Sequence, residues 1–226
     1  MSVRRPTKNQ PASFEWTPEN KAWCDEQRKK YPEDRQASCV IPFLWRGQKQ
    51  EGWVSIPMME HIARQLDMPY IRVYEVATFY SMFNLEPVGE IHVQVCGTTP
   101  CMLRGSKELN KICERVIGPA HRVSEDGKFS WLEVECLGAC VDAPMVQVST
   151  RDSDHYYEDL TPEILEDLLA KLKDGEEVKI GSANPNRNTS EPESGLTTLT
   201  DPALYDGSAA APIKELPNSN PAAPGE

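Results

Sequence analysis

Four cysteines form two closely spaced pairs in this sequence, and the spacing within each pair limits the chemistry that they could do. Cys96 and Cys101 flank four residues in the stretch VQVCGTTPCMLRG, and Cys136 and Cys140 flank three in VECLGACVDAPMV. Thiols at such separations could form disulfides, hold zinc or hold an iron–sulfur cluster. A thioredoxin-type redox pair requires two intervening residues, which neither spacing provides.

The overall composition excludes several classes of partner. The chain has 226 residues, of which 39% are hydrophobic and 26% charged, and its formal net charge is −11. This acidic excess argues against nucleic acid, because phosphate binding requires surplus Lys and Arg, and against an anionic membrane surface. No apolar run approaches the ~20 residues of a membrane span, and the N-terminus lacks the apolar segment of a secretory signal. The lack of a secretory signal predicts a reducing compartment, where paired cysteines more often hold metals than form disulfides.

Local signals divide the chain into four regions that must position these cysteines. They are a flexible N-terminus, a helical domain, a domain of strands and helices, and a disordered tail, with boundaries at 1–16, 17–85, 86–180 and 181–226. Thr17, Ser55 and Pro69 are typical of helix starts. A further helix is predicted over 34–50, in which Pro42 should cause a kink or a break. The tail is rich in Pro, Ser, Asn and Ala and buries too little apolar surface to fold.

The domain over 86–180 is predicted to hold a sheet. The stretch IHVQV alternates apolar and polar residues and predicts a strand ending at Cys96, and FSWLEVE predicts one ending at Cys136. Ser106 is predicted to cap a helix, HRVS to form a short strand, MVQVS and HYYED a hairpin, and Thr161 to cap a final helix. The order β-α-β-β-β-β-α resembles a thioredoxin-like fold. The fold class is therefore predicted as α+β, with a small helical bundle followed by a thioredoxin-like α/β domain.

Each cysteine pair follows the carboxyl end of a predicted strand, which is where ligands bind in α/β sheets. If the two strands run parallel, both loops emerge at one edge and four thiolates converge. Zinc and an iron–sulfur cluster both stay open on the residues alone. Small loop residues favour the cluster, because they let backbone amides approach sulfur. The residues expected around the thiolates are Gly97, Thr98, Thr99, Arg104, Gly138 and Ala139.

The remaining cysteines are predicted to be packing residues, and the histidines to have surface or core roles. Cys113 lies on an apolar helix stripe, and Cys24 and Cys39 lie in predicted helices without a nearby thiol or imidazole partner. The histidines have no metal-ligand spacing; they are His61, His92, His121 and His155. The sequence also lacks glycine-rich nucleotide loops and hydrolase motifs. No catalytic residue is therefore assigned. If the chain carries electrons on an iron–sulfur cluster, it would require a partner that has a substrate site.

Four motifs resemble a known family. VCGTTPCMLRGS, ECLGACVDAPMVQV and YYEDLTPE, with the helical stretch WVSIPMMEHIARQLDMPYIRVYEVATFYSMF, are similar to the 24-kilodalton or E subunit of respiratory NADH:quinone oxidoreductase, complex I. The resemblance covers about residues 20–175. It implies one 2Fe–2S cluster on Cys96, Cys101, Cys136 and Cys140. It also implies a flavoprotein partner that holds FMN, the NADH site and a 4Fe–4S cluster, together with other peripheral-arm subunits.

The same resemblance implies a role and a location. The chain would accept single electrons derived from NADH, on the cytoplasmic side of a bacterial inner membrane or the matrix side of a mitochondrial one, without a membrane span of its own. Two alternatives stay open. One is the equivalent 2Fe–2S subunit of an NAD-linked hydrogenase or formate dehydrogenase, and the other is a zinc-stabilised interaction module.

Overall fold

The first domain contains four helices whose starts follow the sequence signals. A computed structural model describes residues 4–185, 187, 198–204 and 206. The helices are α1 (Pro18–Arg28), α2 (Val40–Glu51), α3 (Ile56–Gln65) and α4 (Tyr70–Phe79). The hydroxyl of Thr17 accepts from the amide of Asn20, and that of Ser55 accepts from the amide of Met58, each over 3.3 Å. These caps satisfy amides that have no partner within the helix.

The helix predicted over 34–50 is divided in two. Residues Glu33–Cys39 form a 3-10 helix, and α2 begins at Val40. Pro42 is then the third residue of α2, where a missing N–H removes no intrahelical hydrogen bond. The predicted break therefore exists, but it lies before the proline.

The N-terminal segment, which was expected to be flexible, is attached to the helical domain. The amide of Thr7 donates to the carbonyl of Leu85 over 2.9 Å, and the guanidinium of Arg4 donates to the carbonyls of Tyr80 and Phe83. The ring of Phe14 is buried in the helical core. That core also contains Phe43, Leu44, Met58, Met59 and Ile62, all fully buried. The composition of the segment did not reveal these tertiary contacts.

The second domain is a mixed five-stranded sheet with helices packed on it. In chain order its elements are β1 (Ile91–Cys96), α5 (Thr99–Leu103), α6 (Ser106–Val116), β2 (Phe129–Val134), β3 (Val146–Ser149), β4 (Asp154–Glu158), α7 (Pro162–Asp174) and β5 (Gly181–Ser182). The strand order is β2-β1-β3-β4-β5. β1 is parallel to β2 and antiparallel to β3, β3 is antiparallel to β4, and β4 is parallel to β5. The α+β prediction is confirmed.

Three local predictions in this domain differ from the structure. HRVS makes only an isolated bridge between Val123 and Ser130, because the chain turns at His121, where φ is 61°. Gly105, at φ 109°, precedes α6, so that Ser106 is the first helical residue and not the cap. The loop between Cys96 and Cys101 also contains the start of α5, which was not predicted.

The sheet extends beyond the predicted domain end at residue 180. β5 pairs with β4, and the amide of Ala183 donates to the carbonyl of Glu158 over 2.9 Å. Most of the predicted tail over 181–226 lies outside the described residues, apart from positions such as the 3-10 turn at Pro202–Leu204. Within the described part of the chain, no helix has both the length and the apolarity to cross a membrane.

Candidate metal centre

The parallel pairing of β1 with β2 brings the two cysteine pairs together. Cys96 is the register partner of Val134, so both strands end at the same edge of the sheet. Behind this edge, the amide of Gly97 donates to the carbonyl of Val134 over 2.9 Å. The amide of Cys96 donates to the carbonyl of Met145 over 3.2 Å. The condition stated for convergence of the two loops, parallel strands, is therefore met.

Both cysteines of the first loop are buried. Cys96 and Cys101 are each 1% exposed, and their surroundings include Ala139, Ala143 and Met145. Thr98 directly precedes α5, and its hydroxyl lies 3.5 Å from the sulfur of Cys96. Pro100 occupies the first turn of α5, where its fixed φ suits the helix. This short helix turns the chain so that Cys101 returns toward Cys96.

The second cysteine loop is exposed and more open. The sulfurs of Cys136 and Cys140 lie 3.7 Å apart, and both residues are exposed. Two thiolates bound at about 2.3 Å to one tetrahedral ion lie roughly 3.8 Å apart, so the observed distance suits a shared metal ion. Gly138 has φ 88° and directs its amide to the sulfur of Cys136 over 3.4 Å. A residue with a Cβ would be strained in that conformation.

The pKa values of the thiols reflect burial and contacts between the two cysteines of each pair. Burial raises the pKa of Cys101 to about 12, helped by its hydrogen bond to Cys96. Burial also opposes ionisation of Cys96, yet its pKa is lowered, because Thr98, the Leu137 amide and Cys101 donate to its sulfur. The pKa of Cys140 is raised, chiefly because it donates to Cys136. Binding of a metal would therefore have to displace protons from each pair.

The arrangement of the thiols is that of two neighbouring pairs. Among the described residues, no three Cys, His, Asp or Glu side chains are grouped to hold one metal ion. The two pairs nevertheless follow paired parallel strands at one edge of the sheet, and Cys140 contributes to the raised pKa of Cys101. A mononuclear zinc site needs four ligands around one point. Two adjacent pairs fit a binuclear cluster better, because each metal ion can take one pair.

The residues predicted to surround the thiols have different roles. Gly97 was expected to direct its amide to sulfur, but that amide donates to the carbonyl of Val134 instead. A Cβ on Gly97 would lie 2.6 Å from the Glu133 side chain. The amide of Gly138 does reach sulfur. Ala139 is buried in the cysteine cluster, whereas Thr99 is exposed. Arg104 is also exposed, and its Nε donates to the carbonyl of Ala143 over 3.3 Å.

Two residues near the thiols were missed by sequence reasoning. The amide of Leu137 contributes to the lowered pKa of Cys96, and its carbonyl accepts from the hydroxyl of Tyr156 over 2.8 Å. Leu137 was treated only as a spacer within ECLGAC, and Tyr156 only as a strand residue. A tyrosine on β4, the second strand after this loop, was the one available signal, because a partly buried phenol needs a hydrogen-bond partner.

The other cysteines and histidines stay outside this site. Cys113 is fully buried in the sheet core, as predicted. Cys24 and Cys39 are buried in the helical core. Burial is the main cause of the raised pKa of Cys24, and the nearby Cys39 contributes to it. His92 is buried and bonded to the hydroxyl of Ser130 over 2.8 Å, and burial lowers its pKa to about 4. It is therefore a neutral core residue.

Comparison with known proteins identifies the family. Residues 24–173 match the thioredoxin-like 2Fe-2S ferredoxin family. The chain belongs to this family. Relatives include an NADH-quinone oxidoreductase E subunit (form 1) of Rhizobium meliloti (strain 1021), 50% identical over 89% of this chain and 74% of the relative. Another is the NADH-quinone oxidoreductase E subunit of Rickettsia bellii (strain RML369-C), 48% identical over 71% of this chain and 95% of the relative.

Membership of the thioredoxin-like 2Fe-2S ferredoxin family confirms the predicted fold and makes one 2Fe–2S cluster the cofactor of this chain. Among solved structures, an NAD+-reducing NiFe-hydrogenase in the H2-reduced state matches with a TM-score of 0.51 at 13% identity. That match covers 60% of this chain and 22% of the hydrogenase chain, and it shows a common fold only.

Proposed function

We propose that this chain is the electron-transfer subunit of an NADH-quinone oxidoreductase, with its 2Fe–2S cluster held by Cys96, Cys101, Cys136 and Cys140. The observation that carries this proposal is the placement of two adjacent thiol pairs at the ends of two parallel strands. The names of the relatives at 48–50% identity supply the complex. When bound, a cluster of this type takes up and releases one electron at a time.

The protein groups around the thiols favour an added negative charge. The amides of Gly138 and Leu137 and the hydroxyl of Thr98 all point to sulfur. Such donors stabilise thiolates and make reduction easier. The first pair is buried and the second is exposed, so the protein shields the cluster on one side and leaves Cys136 and Cys140 open on the other. We therefore place the contact with an electron donor on the exposed side.

The electron donor must lie on another chain, because the sequence has no nucleotide-binding motif. A flavoprotein subunit with FMN, the NADH site and a 4Fe–4S cluster would supply single electrons, as the family resemblance implies. Exposed apolar side chains close to both pairs in the chain suit such a contact, since Leu103, two residues after Cys101, is 76% exposed and Val141, next to Cys140, is 53% exposed. We place this assembly in the peripheral arm of the complex, on the membrane face where NADH is present.

Spectroscopy of single-cysteine variants tests the ligand assignment. Replacing each of the four proposed ligands with Ala should abolish or degrade the electron paramagnetic resonance signal of the reduced 2Fe–2S centre. Cys113→Ala is the matched control and should keep both the signal and the iron content, because Cys113 lies in the sheet core. A wild-type signal from Cys136→Ala, or a colourless wild-type protein with stoichiometric zinc, would refute the assignment.

Purification from native membranes tests the complex. The tagged chain should co-purify with FMN and with NADH-dependent quinone reduction. Co-purification with hydrogen or formate oxidation instead would favour the alternative NAD-linked complexes. The hydrogenase match at 13% identity concerns the fold alone, so it does not favour that alternative.

A further inference from the structure

A buried ion pair links the C-terminal segment to the second cysteine loop. Nη1 of Arg187 lies 2.6 Å from Oδ1 of Asp142 and 3.1 Å from Oδ1 of Asp159. The same atom donates to the carbonyl of Val141 over 3.3 Å. Asp142 is fully buried, and the side chains of Arg187 and Asp159 are 10% and 13% exposed. A carboxylate removed from water in this way requires a compensating charge.

The groups held by this guanidinium belong to the turn that contains a proposed cluster ligand. Cys140, Val141 and Asp142 form one 3-10 turn. Arg187 binds the second and third of these residues. The carbonyl of Asp142 also accepts from the amide of Asp159 over 2.7 Å, which fixes the turn to the end of β4. The position of Cys140 therefore depends on contacts made 47 residues further along the chain (from 140 to 187).

The buried carboxyl groups near Arg187 make its replacement by a neutral side chain unfavourable. Glu158 is also buried at 4% exposure, and burial and the neighbouring Asp142 raise its pKa to about 7. The guanidinium thus binds two carboxylates, and a third carboxyl group, that of Glu158, neighbours Asp142. Oδ2 of Asp142 and Oε2 of Glu158 have no hydrogen-bond partner among the described residues. Without Arg187 the turn would hold uncompensated buried carboxylates, and it would have to open to admit water.

We propose that Arg187 is a positioning residue for the cluster, which holds the Cys140–Asp142 turn in its ligating conformation from beyond the family-matched region. The proposal rests on the ligand assignment above. The matched family region ends at residue 173, so the segment that contains Arg187 adds a contact outside it. Arg187 reaches the turn and Asp159 through the single atom Nη1, so a lysine ammonium group could replace these contacts. Glutamine could not supply the charge.

The test compares Arg187→Gln, Arg187→Lys and Arg115→Gln in the full-length, cluster-loaded chain. Arg115 forms an exposed pair with Glu166 on α6 and α7, so its variant has the same charge change at the surface. Three quantities are measured: the rate of cluster loss to a chelator, the reduction potential, and hydrogen exchange at the amides of Asp142 and Asp159. In Arg187→Gln we expect cluster loss to accelerate about tenfold or more, since a buried charge loses its partner. The potential should become more negative and both amides should exchange faster.

The controls decide the interpretation. Arg187→Lys should stay close to wild type, and Arg115→Gln should not differ from it. Equal cluster loss in Arg187→Gln and Arg115→Gln would overturn the proposal, as would faster hydrogen exchange throughout both domains, which would make Arg187 a general stabiliser. If Arg187→Gln cannot be isolated with its cluster, Asp159→Asn replaces it in the test, because this variant removes the charge of one carboxylate that Nη1 of Arg187 binds. Faster cluster loss in Asp159→Asn than in Arg115→Gln would support a positioning role, and equal loss would overturn it. An intact signal in every Arg187 variant leaves the ligand assignment standing, because that depends only on the cysteine variants.

Discussion

The hydroxyl of Tyr156 on β4 donates a 2.8 Å hydrogen bond to the carbonyl of Leu137, and the amide of Leu137 contributes to the lowered pKa of the Cys96 thiol. Leu137 belongs to the second cysteine loop and Cys96 to the first. One residue thus joins the two loops through its backbone, and the tyrosine fixes that residue to the sheet. The hydrogen bond from Tyr156, a residue outside both cysteine motifs, therefore helps to hold the second cysteine loop in place.

Tyr156→Phe should loosen the second cysteine loop. The variant leaves the Leu137 carbonyl without its donor, at a cost of about 1 kcal/mol in the free energy of unfolding, which urea unfolding followed by circular dichroism measures. Faster cluster loss to a chelator should accompany this cost. Tyr157→Phe is the control, because that ring packs in the sheet core. Equal rates of cluster loss in the two variants would contradict the role given to Tyr156.

Gly138→Ala should change the reduction potential, whereas Gly97→Ala should not. Gly138 has φ 88° with nothing within 4 Å of an added Cβ, so the cost of alanine lies in the backbone, at about 1–2 kcal/mol. Relief of that strain would turn the Gly138 amide away from the sulfur of Cys136 and make the potential more negative. The Gly97 amide donates to Val134, and an added Cβ would meet only the side chain of Glu133. Redox titration followed by electron paramagnetic resonance measures both potentials, and equal shifts would refute this distinction.

Stability should fall at alkaline pH because of buried thiols. Burial raises the pKa of Cys113 from 9.0 to about 12, so the unfolded thiol ionises first. The contribution is complete below pH 9 and is lost as the pH rises toward 12, by about 1.4 kcal/mol per pH unit for each such thiol. Cys113→Ala should therefore show a shallower decline in unfolding free energy between pH 9 and 10.5. Urea unfolding of the cluster-loaded protein at several pH values measures it, and a decline parallel to wild type would disprove the assignment.

Lys49→Met should weaken the contact between the helical domain and the sheet. The ammonium of Lys49 on α2 lies 2.8 Å from the carboxylate of Asp154 and donates to the carbonyl of Thr150 over 2.7 Å. The Lys49 side chain is only 16% exposed, so loss of these charged hydrogen bonds should cost about 2 kcal/mol. Hydrogen exchange should rise along the β3–β4 turn. Lys21→Met on the exposed face of α1 is the control, and an equal effect there would contradict the prediction.

Much of the fold was predictable because its signals are local. Thr17, Ser55 and Thr161 cap their helices as expected, since a capping hydroxyl acts on an amide three residues away. Alternation in IHVQV and FSWLEVE located β1 and β2 for a similar reason. HRVS failed as a strand, because four residues with strand propensity do not determine whether a partner strand is present. The prediction of a flexible N-terminal segment was wrong because its partners are distant in the chain, such as Ile56 for Gln10 and Leu85 for Thr7.

The features of the candidate site can also be separated into those that local sequence predicts and those that depend on tertiary contacts. Residue types and spacing were sufficient to select four thiols and to exclude a C-x-x-C redox pair, since both depend only on covalent neighbours. Which amide reaches which sulfur required the folded chain: Gly138 donates to Cys136 and Gly97 to Val134, although both glycines occupy similar positions in their motifs. The contact of Arg187 with Asp142 was equally hidden, because a lone arginine in a polar segment carries no local signal. The long-range packing of β1, β2 and β4 determines these contacts, and such packing depends on the whole chain.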